Sequence, residues 1–365
     1  MMHVAFRTDA ALTIGTGHVM RCLTLARALA LQGHNCRFVC RDLPGNLNPQ
    51  IAAEFGLTPL PAPQGPVPAG PPAHAAWAGV DWTQDAVETR AALQAAPTDW
   101  LVLDHYAFDA RWQKAALPDG TKLMVIDDLA DRPHICDMLL DQNLGHDALN
   151  YAGLVPDGSI CLTGPRYALL RPEFADLRAK ALAARAGRGL RHLLISMGGV
   201  DTVDATLTIL RALPGAPLPE NLEIAVVMGA QAPALEQVRA LAGEMPWRTK
   251  VVVDVRDMAA RMGQADLAIG AGGGTTWERC CLGLPSIIVQ IAENQAGIAQ
   301  ALAKAGAALD PGPLHTPDFA HRLRAALADA RDPGRMAALS ENAAALCDGE
   351  GVGRVLSIFG QGASA

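Results

Sequence analysis

Two short glycine-bearing segments place reactive side chains at the start of helical sequence. The first is Ile14-Gly15-Thr16-Gly17-His18, followed by apolar residues at helical spacing. A histidine at a helix N-terminus feels the positive end of the dipole, which disfavours the imidazolium. His18 is therefore expected to be neutral near pH 7, as a general base must be. A capping or packing role is the alternative. Gly15 and Gly17 let backbone or ligand approach the ring closely. Asp9, in the preceding loop, either orients the imidazole through a ring N–H or stabilises the turn.

The second segment is Gly270-Ala271-Gly272-Gly273-Gly274-Thr275-Thr276-Trp277-Glu278, set between a strand and a helix. Such a turn exposes backbone N–H groups where the dipole also favours negative charge, so phosphate or diphosphate is the natural occupant. Thr275 and Thr276 either cap the helix or donate to phosphate. Glu278 complements the dipole or accepts hydrogen bonds from ribose hydroxyls. The pattern is neither the dinucleotide fingerprint nor the P-loop. No GxSxG is present, so a hydrolase nucleophile elbow is not indicated.

Polar residues also follow several apolar runs, and open α/β sheets bind ligands beyond the carboxyl ends of their strands. Asp104, His105 and Tyr106 follow one run, and Asp127 and Asp128 the next. Each taken alone is more readily a loop or capping residue. Tyr106 stands out among only three tyrosines, since a phenol can hold water or a sugar hydroxyl. Asn294 and Gln295 have the same standing in the second half. Gly198-Gly199 with Asp201 forms another strand–glycine–helix turn, open to packing or ligand contact. The remaining histidines show no metal-ligand spacing, so no metal is expected.

The elements that must position these residues alternate regularly. HVAF (3–6), RFVC (37–40), WLVL (100–103), LMVI (123–126) and MLL (138–140) read as strands of the first half. HLLIS (192–196), EIAVVM (223–228), KVVV (250–253), ADLAI (265–269) and SIIVQ (286–290) read as strands of the second. Residues 18–31 read as a helix, with Val19, Leu23, Ala26 and Ala30 on one face. Strands alternating with helices in two runs predict α/β domains with parallel sheets. The expected division is a domain over 1–175, a charged, Ala-rich linker or linking helix at 176–189 and a domain over 190–350. The Pro/Ala/Gly-rich stretch 59–79 reads as a surface loop, and the tail after Gly349 is expected to fray.

Composition narrows the class. The chain has 365 residues, half of them hydrophobic and 18% charged, which is globular rather than disordered. A net charge of −7 and 4% aromatic residues speak against a nucleic-acid or anionic-membrane surface. Eight cysteines without a CxxC pair read as buried thiols in a reducing compartment. No run is long enough to span a membrane, and the N-terminus lacks a signal-peptide pattern. A cytoplasmic monomer is expected.

The motifs taken in order carry a resemblance. FRTDAALTIGTGHVMRCLTLARAL (6–29) resembles the N-terminal signature of the UDP-2,4-diacetamido-2,4,6-trideoxy-β-L-altropyranose hydrolases of pseudaminic acid biosynthesis. The likeness continues through VLDHYAFD (102–109), VIDDLADRPHICDMLLDQN (125–143) and GPRYALLRPEF (164–174). It resumes in ISMGGVD (195–201), ADLAIGAGGGTTWERCCLGLPSIIV (265–289) and ENQ (293–295), and leaves 59–79 unmatched. The resemblance implies two Rossmann-like domains in a GT-B-like arrangement, with a UDP-sugar in the interdomain cleft. It implies anomeric C–O hydrolysis with inversion and no cofactor. It puts the general base on His18 and a catalytic tyrosine at Tyr106. It puts UDP-sugar contacts on the Gly-rich loop, Glu278 and Asn294.

A GT-B glycosyltransferase with the same UDP-sugar donor would share the fold and the nucleotide loop. A non-catalytic sugar-nucleotide-binding module would bind without turnover. Acceptor dependence separates the first from a hydrolase, and turnover separates the second.

Overall fold

A computed structural model describes residues 1–66 and 69–361. The chain forms two compact units. One comprises Met1–Leu169 with the segment from Gly351 onward, and the other Leu170–Glu350.

The first unit is built on a parallel seven-stranded sheet. Its strands are β1 (His3–Thr8), β2 (Asn35–Arg41), β3 (Gly56–Leu60), β4 (Trp100–Asp104), β5 (Lys122–Ile126), β6 (Met138–Asp141) and β7 (Ile160–Thr163). They lie in the order β3-β2-β1-β4-β5-β6-β7. The order reverses between β1 and β4, which pair in register with Thr8 opposite Asp104. The central strands are buried on both faces, which explains their unbroken apolar runs. Helix Gly17–Leu31 buries Val19, Leu23, Ala26 and Leu29 against this sheet.

The second unit holds a parallel five-stranded sheet of β8 (His192–Ser196), β9 (Glu223–Met228), β10 (Arg248–Val253), β11 (Leu267–Ala271) and β12 (Ser286–Val289). Its order is β10-β9-β8-β11-β12. Its core gathers Leu193, Ile195, Val226, Ile269 and Ile287 from the strands with Leu210, Leu323 and Leu339 from the helices.

Three expectations need correction. Residues 176–189 are not a linker: 172–185 form the helix Pro172–Arg185, which packs within the second unit and caps carbonyls there through Arg178. The tail expected to fray after Gly349 is ordered helix as far as Gln361, and 362–365 lie outside the described residues. Gly351–Gln361 is a helix whose Val355, Leu356 and Phe359 enter the core of the first unit. The fold also contains β3 and β7, which the strand pattern missed. Both are sheet edges, and β3 carries Pro59, which an edge tolerates.

Beneath the first sheet lies a buried ion cluster. Arg7 of β1 and Arg41 of β2 both bond Asp85 of helix Trp82–Gln94, at 2.7 and 2.6 Å, with all three side chains fully buried. Trp112 Nε1 donates to the same carboxylate at 3.0 Å. Burial opposes the charge, but Arg7 and Arg41 hold Asp85 below the usual carboxylate range. A depressed carboxylate stabilises the fold above the unfolded pKa, about 4, and that stabilisation is lost as pH falls through the folded value. Asp85→Asn is expected to cost about 3–5 kcal/mol by leaving two buried guanidiniums underpaired. It should also flatten the acid limb of stability. Urea unfolding of both proteins, followed by tryptophan fluorescence across pH, checks this; matching midpoints would show that the cluster is dispensable.

Candidate active site

The carboxyl ends of β1, β4 and β5 converge where the strand order reverses. The turn ahead of the first helix needs Gly15 at φ +81°, where its N–H donates to Ala11 O at 2.8 Å. That turn starts helix Gly17–Leu31 with His18 at its first turn. Arg21 follows at i+3, on the same helix face. Both side chains meet Asp104, the last residue of β4. His18 Nδ1 lies 2.6 Å from Asp104 Oδ1, and Arg21 bonds both oxygens, Nε to Oδ2 at 2.6 Å and Nη2 to Oδ1 at 2.7 Å.

Burial favours protonating Asp104, but Arg21 and His18 outweigh it and hold the carboxyl well below its usual range. An ionised carboxylate only accepts, so the Nδ1 of His18 carries the proton of this bond and Nε2 is left as the basic nitrogen. Asp104 has no exposed side-chain surface, whereas His18 keeps 11%. The pair is therefore held from below and open at the ring.

Arg21 also bonds Asp128 Oδ2 at 2.6 Å, and the Tyr106 hydroxyl donates to that oxygen at 2.5 Å. Burial and Asp128 push the Tyr106 phenol up, so it stays a donor at neutral pH. Its ring meets His18 edge-on at 4.7 Å. The hydroxyl keeps acceptor capacity, but its proton is committed to Asp128.

Asp9 is elsewhere. Its carboxylate bonds Arg7 at 2.7 Å, accepts the Arg41 N–H at 2.6 Å and faces His105 Nε2 at 3.2 Å. The expectation that Asp9 orients His18 gives way to Asp104. The register explains this: Thr8 is level with Asp104 and Asp9 turns toward β2, away from the helix face.

In the second unit, the glycine loop runs from β11 into helix Thr275–Cys281. Arg279 lies buried beneath it. Nη2 of Arg279 donates to Ala271 O at 2.8 Å and to Thr276 Oγ1 at 3.1 Å, and Nη1 donates to Thr275 Oγ1 at 3.2 Å. A Cβ on Gly270 would collide with this guanidinium, so only glycine fits there. No carboxylate pairs with Arg279 among the described residues, and burial lowers it to about 10. The loop thus covers a cation that no carboxylate bonds directly, with Glu278 acting on it at longer range.

Thr276 is buried, and its hydroxyl is used by Arg279 and Ala271 O. It is not placed to donate to a ligand, contrary to expectation. Gly273 and Gly274 are exposed, with open space where a Cβ would be. Gly272 is buried, and its N–H points to Gln295 Oε1 at 3.4 Å; the same oxygen accepts from Ile291 N at 3.2 Å. Gln295 therefore braces the loop. Asn294 beside it is exposed.

Glu278 meets Arg171 at 3.4 Å, and burial pushes its carboxyl up. Asp201 is a cap: its oxygens accept the N–H groups of Ala205 and Thr206, each at 2.9 Å. The sequence reading missed Arg21, Arg171 and Arg279. Arg21 had a signal, a cation three residues after His18 on an otherwise apolar helix face. Arg279 had none, because a charge beside Cys280 and Cys281 gives no hint that it turns under the loop.

No helix among the described residues is long and apolar enough to cross a membrane. Among the same residues, no group of three or more His, Cys, Asp or Glu is placed to hold a metal ion.

The Asp104 link makes one prediction. The His18 ring of the wild-type protein should be the Nδ1–H tautomer in ¹⁵N-correlated NMR, and Asp104→Asn should disturb that preference. An Nε2–H ring in the wild type would overturn the arrangement.

Comparison with known proteins adds four findings. Residues 197–345 match the glycosyltransferase family 28 C-terminal domain. The chain is 26% identical over 308 residues to the UDP-2,4-diacetamido-2,4,6-trideoxy-β-L-altropyranose hydrolase of Campylobacter jejuni, covering 84% of this chain and 97% of that protein. It is 32% identical over 197 residues to the spore coat polysaccharide biosynthesis protein SpsG of Bacillus subtilis, a match over 54% of this chain and 57% of the relative's length. The fold superposes on the crystal structure of Acinetobacter baumannii MurG with a TM-score of 0.70 at 18% identity, covering 99% of this chain and 100% of that one. The resemblance to the hydrolase family is thereby supported, and the chain has a GT-B-like fold of two parallel-sheet α/β domains, the second of which holds the residues that match the family 28 model.

Proposed function

We propose that this protein hydrolyses UDP-2,4-diacetamido-2,4,6-trideoxy-β-L-altropyranose at the anomeric C–O bond with inversion. The products are UDP and the free 2,4-diacetamido-2,4,6-trideoxy-L-altropyranose. The observation that carries the reading is the His18–Asp104 pair at 2.6 Å, standing at the carboxyl ends of the central strands. The match to the Campylobacter jejuni hydrolase supports the choice of substrate.

Water attacks the anomeric carbon on the face opposite the leaving group, as single displacement with inversion requires. Its proton passes to His18 Nε2 as the new C–O bond forms. The bond from the anomeric carbon to the diphosphate oxygen breaks, and its electron pair leaves with UDP. Asp104 holds the ring and stabilises the imidazolium that results, and Arg21 fixes Asp104. Tyr106 packs against the ring and can accept a hydrogen bond from the water. Diphosphate is a good leaving group, so no separate acid is assigned.

UDP is assigned to the second unit. Exposed amides of Gly273 and Gly274, the Thr275 hydroxyl and the cation of Arg279 favour its diphosphate. Glu278 is assigned to the ribose hydroxyls. Buried carboxylates gain from such donors, and Glu278 has only a long contact with Arg171. Asn294 is assigned to the same substrate, whereas Gln295 holds the loop. Asp9 and Thr276 are given no direct part. The reaction needs residues of both units on one substrate, and the protein is proposed to act as a monomer.

A GT-B glycosyltransferase is the second reading, favoured by the family 28 match over residues 197–345. Only an acceptor-dependent product distinguishes it.

The test incubates the protein with this substrate, and separately with UDP-N-acetylglucosamine, in ¹⁸O-water. The expected result is UDP release from the first substrate, with ¹⁸O in the sugar and none in UDP. His18→Ala should lower kcat by roughly 10²–10⁴-fold while UDP still binds. Asp104→Asn should fall in the same range with KM little changed. UDP binding without release from either substrate would favour the transferase, and near-wild-type turnover by folded His18→Ala would overturn the base assignment.

A further inference from the structure

The end of the stretch 59–79, read as a surface loop, reaches the His18 site through His74 and Trp77, and 67–68 lie outside the described residues. Its 3-10 turn Ala75–Ala78 is anchored by Ala78, which is 1% exposed and belongs to the core beside Leu101 and Trp112. The turn presents Trp77, half-buried, to the rings around His18. The Trp77 indole stacks on Tyr106 at 5.5 Å and 25°, and meets His18 edge-on at 6.0 Å. His74, on the same segment, lies 4.8 Å from Trp77 and 5.6 Å from Tyr106. Four rings thus form one continuous wall in a chain with only 4% aromatic residues. Trp77 packs on one side against the core cluster that holds Ala78 and Trp112. It is only partly buried there and keeps solvent-facing surface, which core packing alone leaves unused.

We propose that Trp77 is a specificity-determining residue that receives the apolar face of the sugar. A 6-deoxy sugar with two acetamido groups presents a C6 methyl and two acetyl methyls. It therefore offers an aromatic plane more hydrocarbon than a sugar with hydroxyls at those positions. Trp77 on this account contributes to substrate choice and not to proton transfer, which stays with His18. The inference rests on the sugar-nucleotide reading given above.

The test compares Trp77→Ala and Trp77→Phe with the wild type. For UDP-2,4-diacetamido-2,4,6-trideoxy-β-L-altropyranose, Trp77→Ala should lower kcat/KM roughly tenfold, mostly through KM, and Trp77→Phe should recover most of the loss. UDP affinity by calorimetry should stay within about twofold of the wild type. A fall in kcat alone, or no recovery by Phe, would overturn the proposal, because a merely structural role has those outcomes. A second readout does not need turnover. In the His18→Ala background, saturation-transfer NMR with the same UDP-sugar should show sugar and uridine signals, and adding Trp77→Ala should weaken only the sugar signals. Equal sugar signals with and without Trp77 would overturn the proposal. If the wild type fails to hydrolyse the substrate, the hydrolase reading falls, and the NMR comparison still decides the role of Trp77.

Discussion

The first half of the molecule depends on one buried carboxylate. Asp104 ends a strand that is apolar along its whole length, so nothing but charged partners can keep it ionised there. Arg21 supplies that charge, and His18 and the Cys22 thiol donate to the same group. The arrangement commits the first helix: two residues one turn apart must both face β4. It also commits Asp128 and Tyr106, because Arg21 carries the network onward to the next strand end. A chain of this kind resists partial change, since each member is the other's only means of being buried without loss.

The second half uses a cation in the corresponding place. Arg279 is sealed beneath the glycine loop, and its Nη1 and Nη2 are bonded to a carbonyl and two hydroxyls, which do not neutralise it. Positive potential at that surface is therefore permanent. The two units thus present complementary chemistry, a basic nitrogen backed by an anion in one and anion-favouring amides backed by a cation in the other.

Much of the framework was legible because buried parallel strands are written as short apolar runs. The ten strands so read lie at or near the observed positions. The two missed, β3 and β7, are edges, where half the apolar signal is absent. The site was legible only in part. His18 and the glycine loop announced themselves through spacing. The partner of His18 did not, because strand register chooses between Asp9 and Asp104, and register is a property of the sheet. Thr276 and Gln295 show the same limit: their types suit a ligand, yet buried Arg279 and an unpaired amide claim them first. The stretch 59–79 looked like loop because proline and glycine dominate it, while the one residue that anchors its turn, Ala78, has no distinctive type.

The helix Gly351–Gln361 carries a consequence for biosynthesis. Its Phe359 packs on Trp100 at 4.7 Å, so the core of the first unit is closed by a segment made after the whole second unit. The second unit is contiguous and can fold as it leaves the ribosome. The first unit, although its strands emerge before those of the second, must wait with an uncovered apolar face until the second unit has been made. A nascent chain stalled after Glu350 would hold a finished C-terminal domain and an unfinished N-terminal one. Chaperone demand should therefore fall on the half that is translated first.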